Sequence, residues 1–70
     1  MIARPVPAFE YRYELRDGEE VLATGRMSRD RELDVGERIR IAGHSGVVRS
    51  VEPVLGDRAQ RVVVEVRSRM

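Results

Sequence analysis

Residues 9–16, with the sequence FEYRYELR, alternate strictly between apolar and charged side chains, which constrains the fold more than any other stretch. A period of two residues is typical of a β-strand that buries one face and exposes the other to water. On a helix the same alternation would scatter both groups around the axis. The pattern therefore predicts a half-buried strand, and its inward set is Phe9, Tyr11, Tyr13 and Leu15.

A second strand is predicted over residues 20–27, after a turn that contains Asp17-Gly18. Because residues paired across a hairpin share a face, only a loop of odd length brings the two inward sets together. A loop over residues 16–18 meets this condition and places Phe9 across from Gly25, and a loop over residues 17–19 is the alternative. The inward set of this strand is predicted to be Val21, Ala23, Gly25 and Met27.

Three further strands are predicted in the rest of the chain. Residues 28–35 precede them as a charged connection that Leu33 and Val35 are expected to anchor to the core. The three-residue spacing of Val48 and Val51 breaks the alternation and predicts a bulge or a sharp bend. The strands are predicted at residues 37–42, 47–54 and 61–67, with a hairpin turn at residues 43–46 and a loop over residues 55–60.

Five short strands separated by turns predict an all-β fold, a small five-stranded barrel of antiparallel strands. Closure of the sheet would remove its exposed edges, which are a liability in an open sheet. The length fits a single domain over residues 1–70. Within it, residues 1–7 are expected to form an extended arm, because Pro5 and Pro7 disrupt helix and strand pairing, and residues 68–70 form a tail.

Several classes of site and location are not expected. The chain has no cysteine and one histidine, so we expect neither a metal site nor a cofactor. It contains no apolar run of about 18 residues and no signal-peptide pattern, so we expect a cytoplasmic protein with no membrane partner. No nucleophile, base and orienting acid can be assigned, and so small a barrel leaves little room for a pocket. We therefore expect no catalytic residues, no small-molecule substrate and no enzymatic activity.

Residues 35–51 resemble a KOW-type motif, which occurs in ribosomal proteins and transcription elongation factors. The resemblance covers about a quarter of the chain. It implies an SH3-like barrel and a nucleic-acid or ribosome-associated binding function. The matching residues are Gly36, Ile39, Ile41, Gly43, Gly46, Val48 and Val51.

The charge balance favours a different function. The chain carries 13 basic residues, all of them arginine, against 12 acidic ones, and a net charge of +1 does not indicate a polyanionic partner. We therefore predict a binding or assembly module for protein–protein interaction, with another protein or a second copy as partner. Leu22 and Val63 are its candidate apolar contacts. The alternative is the KOW-like nucleic-acid module, with Arg38, Arg40 and Arg49 as its candidate phosphate contacts.

Overall fold

The computed structural model describes residues 9–67, and the predicted arm (residues 1–7) and tail (residues 68–70) lie outside this range. These residues fold into one sheet of five strands, so the all-β prediction is confirmed. The half-buried alternation of the first strand is present, since Tyr11 and Leu15 are buried and the charged residue between Tyr11 and Tyr13 is exposed. The strands are β1 (Phe9–Asp17), β2 (Glu20–Arg29), β3 (Arg38–Ile41), β4 (His44–Pro53) and β5 (Gln60–Val66).

The strand order is β2-β1-β5-β4-β3, and one pairing in it is parallel. Strands β1 and β5 run in the same direction, whereas the other neighbouring pairs are antiparallel. The prediction of a purely antiparallel sheet is therefore wrong. The reason is a parity argument: when successive strands reverse direction, the first and fifth strands point the same way, so pairing them makes a parallel ladder.

The sheet curls into a half-barrel and leaves two edges, β2 and β3. The expectation that the sheet closes on itself is also wrong, because no ladder joins β2 to β3 in the part of the chain described. A side-chain contact does bridge them: Nη2 of Arg29 donates to the carbonyl oxygen of Arg40 at 3.4 Å. The curl thus brings the two edges close without pairing their backbones.

The β1–β2 hairpin meets the parity condition by a different route from the one predicted. Asp17 pairs with Glu20 across a two-residue turn, and the register then shifts beyond Arg16 and Val21. Leu22 is the unpaired residue of the β-bulge at this shift. It shifts the pairing by one residue, as the loop of odd length was expected to do. The inward faces of the two strands therefore still meet.

An aromatic ring lies over the strand glycine of β2, as expected, but it belongs to a different residue. A Cβ atom added to Gly25 would lie 2.7 Å from the hydroxyl oxygen of Tyr13. Tyr13 is directly opposite Gly25 in the register, whereas Phe9 pairs with Arg29. The tyrosine thus covers the gap that the missing side chain leaves.

The core lies on the concave face of the sheet. Most inward positions are as predicted, including Leu33, which anchors the connection between β2 and β3. Three predictions of burial are wrong: Phe9, Val21 and Val35 are 38%, 49% and 65% exposed. The core cluster consists of Tyr11, Leu15, Leu33, Ile39, Ile41, Val48, Val62 and Val64.

The β3–β4 hairpin turns one step earlier than predicted. Ala42 and Gly43 have φ angles of 52° and 81°, the signature of a type I′ turn, so residues 44–46 belong to β4. Gly46 is needed for packing, because an added Cβ would lie 2.6 Å from Cγ1 of Val64. The predicted bulge is confirmed, since the β4–β5 register skips Arg49.

Candidate functional site

The gap between β2 and β3 forms a recess, and we call it the seam. Its volume is about 510 Å³ and it is open to solvent. Tyr13 and Met27, which pack against the core, line it together with the buried Ile41. Its floor is therefore apolar. The lining residues are Tyr13, Met27, Ser28, Arg29, Asp30, Arg40, Ile41 and Ala42.

The β3 side of the seam presents backbone groups that no other strand within residues 9–67 uses. In an antiparallel hairpin, alternate residues direct both N–H and C=O to the partner strand. Ile41 pairs with His44 next to a two-residue turn, so Ile39 and Ile41 bond to β4. The N–H and C=O groups of Arg38 and Arg40 consequently point into the seam, in agreement with the contact between Arg29 and the Arg40 carbonyl.

Two of the three candidate arginines form no ion pair within the part of the chain that the structure describes. Arg38 and Arg40 are exposed on the convex face of β3, and among residues 9–67 no carboxylate lies within ion-pair distance of either guanidinium. Glu37, their neighbour in sequence, instead pairs with Arg31 and accepts the N–H of Asp34 at 3.0 Å. The exposed edge of β3 is therefore basic.

The third candidate arginine is already paired. Nη1 of Arg49 lies 2.8 Å from Oε1 of Glu65. The same carboxylate accepts the Gly18 N–H at 2.6 Å, and that hydrogen bond is the main cause of its lowered pKa, with Arg49 adding to it. Glu65 of β5 thus contacts both Arg49 of β4 and the β1–β2 turn, and Arg49 is engaged in an ion pair that Arg38 and Arg40 lack among residues 9–67.

The two apolar candidates do not form one patch. Leu22 is 41% exposed and sits at the bulge of β2, next to the exposed Val21. Val63 is half-buried in the middle of the sheet, where it pairs with Glu14 and Ser50. Leu22 therefore belongs to the β2 edge, whereas Val63 belongs to the convex face.

A row of arginines on the convex face was not foreseen. Arg12 is directly opposite Arg26 on one side and Arg61 on the other, across three strands. Such like-charge neighbours destabilise a sheet unless acids separate them. Asp57 lies 3.3 Å from Arg12 and 3.8 Å from Arg26, and Glu14 lies 3.1 Å from Arg61.

These acids are held ionised by their surroundings. Arg16, followed by Arg61, lowers the pKa of Glu14, and the Ala59 N–H is the first cause of the lowered pKa of Asp57. The arginine row thus forms a neutralised network along a groove of about 420 Å³. Sequence periodicity predicts which face of the sheet each residue lies on, but it does not predict that β5 lies beside β1. The row could therefore not be predicted from the sequence.

The described residues hold no group of three His, Asp or Glu side chains arranged for a metal ion. Nor do they contain a helix long and apolar enough to cross a membrane. No protein-family model matches this sequence, and the comparisons with curated proteins and with solved structures also return no match.

Proposed function

We propose that this chain is a non-enzymatic binding and assembly module that engages another protein through the seam. The observation that carries the proposal is the pair of unpaired strand edges on either side of an apolar floor. An extended segment in the seam would bond to edge N–H and C=O groups and bury alternate side chains. It would also complete a barrel of the kind that the SH3-like resemblance implies. We expect such a module to act in the cytoplasm.

The charge of β3 favours a foreign partner over a second copy. Antiparallel pairing of two β3 strands centred on Ile39 would set Arg38 of one copy opposite Arg40 of the other. Like charges directly opposite each other destabilise a sheet. Arginine on an edge strand is also a common device against self-pairing. The partner is therefore expected to be a different protein.

A proline substitution tests the proposal, because alternate residues of β3 bond to β4 and the residues between them direct their N–H groups into the seam. Arg40→Pro removes an N–H that points into the seam and leaves the bonds of Ile39 and Ile41 to β4 in place. Arg40→Gln is the matched control, which removes the charge and keeps the N–H. A phage-displayed library of random linear peptides would be selected on the wild-type protein, and the selected peptides would be tested on both variants.

The proposal expects peptides that bind the wild type and the Arg40→Gln variant but not the Arg40→Pro variant. NMR spectra would establish that the proline variant keeps its fold. A second proline variant, Arg38→Pro, serves if the first does not fold. Failure to select any peptide, or equal binding to the folded proline variant, would overturn the proposal.

A second candidate function is a KOW-like nucleic-acid module, favoured by the unpaired state of Arg38 and Arg40. Arg67 extends their basic surface, since its N–H bonds to the Ser45 carbonyl and Ser45 pairs with Arg40. Chemical-shift mapping against single-stranded and duplex RNA and DNA, at two salt concentrations, tests this candidate. Shifts on β3 that fade steeply with added salt would support it, and no shifts at low salt would exclude it.

A further inference from the structure

We propose that the segment bound in the seam is an acidic extended peptide of the partner protein, in which Asp or Glu alternates with apolar residues. This inference rests on the proposed function and adds the chemistry of the partner. Three features of the seam lead to it: the two faces that a bound strand would present, the charge of the rim, and the contact that now bridges the gap.

A strand added beside β3 must follow the alternation of β3. Its side chains would point in turn to the concave and the convex face of the sheet. On the concave face they would meet the apolar floor made by Met27, Ile41 and Tyr13. On the convex face they would lie beside Arg38 and Arg40, at cross-strand distances of about 4.5–5.5 Å. The segment thus needs apolar residues at every second position.

The charge of the seam's rim indicates which residues of the bound segment would occupy the positions between its apolar ones. Arg29, Arg38 and Arg40 carry positive charge at or beside the seam, and none of them forms an ion pair with a carboxylate among the residues described. Arg31 is the main cause of the lowered pKa of Glu37, and the charge of Arg29 adds to it. Asp30 is the single carboxylate among the lining residues and opposes the three arginines of the rim. The rim is therefore net positive and complements acidic side chains.

Arg29 provides a contact that an acidic strand would replace. Its guanidinium donates to the Arg40 carbonyl at 3.4 Å, which partly satisfies an edge acceptor. An N–H of the incoming strand would take over that acceptor. The displaced guanidinium, with its five donors, could then bind a carboxylate of the same strand. A basic strand would instead leave Arg29 displaced beside like charge.

Three synthetic peptides that differ only in charge test the inference: EVEVEVE, QVQVQVQ and KVKVKVK. Their affinities for the wild-type protein would be measured by NMR titration at low and moderate salt. We expect the acidic peptide to bind at least about tenfold more tightly than the basic one, with the difference shrinking as salt rises. Shifts should occur on both sides of the seam, at Met27 and Ser28 as well as at Arg38 and Arg40.

Charge reversal with a matched control separates a seam contact from general attraction. Arg40→Glu and Arg58→Glu change the net charge equally, and Arg58 is an exposed residue of the loop before β5. We expect Arg40→Glu to weaken EVEVEVE binding about tenfold and Arg58→Glu to leave it nearly unchanged. The Arg38→Glu/Arg40→Glu double variant should reverse the preference and bind KVKVKVK more tightly.

The outcomes distinguish this inference from the proposed function. Equal affinities for the three peptides, equal effects of the two single variants, or shifts confined to β3 would overturn the acidic-segment inference. If library peptides still bind and depend on the Arg40 N–H, the proposed function stands with a different partner chemistry. If no extended peptide binds, both fall. Shifts at Arg38 and Arg40 with RNA or DNA but not with peptide would favour the nucleic-acid candidate instead.

Discussion

Tyr11 shows how a single side chain ties a loop to the sheet. Its ring is fully buried in the core, and its hydroxyl oxygen accepts the backbone N–H of Leu33 at 2.9 Å. Leu33 belongs to the connection between β2 and β3, where the backbone is not part of a strand. The tyrosine therefore holds that connection against the core and helps place β3 at the edge of the seam.

Tyr11→Phe removes this acceptor and keeps the ring. The buried Leu33 N–H is then left without its partner, so we expect the free energy of unfolding to fall by about 1–3 kcal/mol. Urea denaturation followed by circular dichroism measures the change. Tyr13→Phe is the control, because the Tyr13 hydroxyl makes no hydrogen bond with another described residue, and its effect should be within about 0.5 kcal/mol. Equal effects of the two substitutions would contradict this role for Tyr11.

Strand β3 is held in place by the turn that joins it to β4. Ala42 adopts a φ of 52°, which is unfavourable for a residue with a Cβ, while Gly43 follows with a φ of 81°. The type I′ geometry matches the twist of the two strands, and this match sets the register that directs the backbone N–H and C=O groups of Arg38 and Arg40 into the seam. The turn thus stores a small strain at the element that carries the candidate site.

Ala42→Asn should relieve part of this strain, because asparagine tolerates the left-handed region and Asn-Gly is a preferred type I′ pair. We expect the free energy of unfolding to rise by about 0.5–1 kcal/mol, measured by urea denaturation. Ala42→Val is the opposite control, since a β-branched residue is an outlier at positive φ, and it should destabilise the protein. A gain in stability from valine would show that residue 42 is not held at positive φ in solution.

The two hairpins show which of their features the alternation of apolar and polar residues predicts. Alternation assigned the faces of β1 and most of β2 correctly, because burial imposes a period of two on any half-buried strand. It did not locate the turns. An odd loop and a two-residue turn with a bulge at Leu22 satisfy the same parity, so the pattern could not choose between them. Gly46 was assigned to a turn, although its lack of a side chain serves the contact with Val64.

At the scale of the whole molecule, ion pairs connect elements that are far apart in sequence. Glu14 bridges β1 to β5 through Arg61, and Glu65 joins β5 to both Arg49 of β4 and the turn at Gly18. Asp57 reaches Arg12 and Arg26 from the loop before β5. These carboxylates lie where the parallel β1–β5 pairing brings the two halves of the chain together.

The pKa values of four carboxyl groups are lowered in the folded protein, which predicts a loss of stability in acid. Each contributes stability that is present above its unfolded pKa, near 4.5 for glutamate and 3.8 for aspartate, and that is lost as the pH falls through the lower folded value. We expect the free energy of unfolding to hold from neutral pH to about pH 5 and to decline below it. The groups are Glu14, Glu37, Asp57 and Glu65.

Urea denaturation at a series of pH values checks this expectation. Asp57→Asn removes one of the four groups, so this variant should lose less stability between about pH 5 and about pH 3 than the wild-type protein does. Stability that stays constant, or rises, as the pH falls over this interval would contradict the expected role of the carboxylates.

The sequence by itself determined the five strands and most of their inward faces. Apolar residues recur at every second position in β1, β3 and β5, and this pattern indicates half-buried strands. The reason is that burial of the apolar side chains on one face removes them from water. The sequence also singled out Arg38 and Arg40, because they alternate with the buried Ile39 and Ile41.

Only the tertiary structure decided which strands are neighbours. The placement of β5 beside β1 depends on contacts between the ends of the chain, and no local pattern encodes them. That placement makes the sheet mixed, creates the arginine row and brings Glu65 to the N–H of Gly18. It also leaves β2 and β3 as the two edges, because β5 lies between the two hairpins and pairs with β1 of one and β4 of the other.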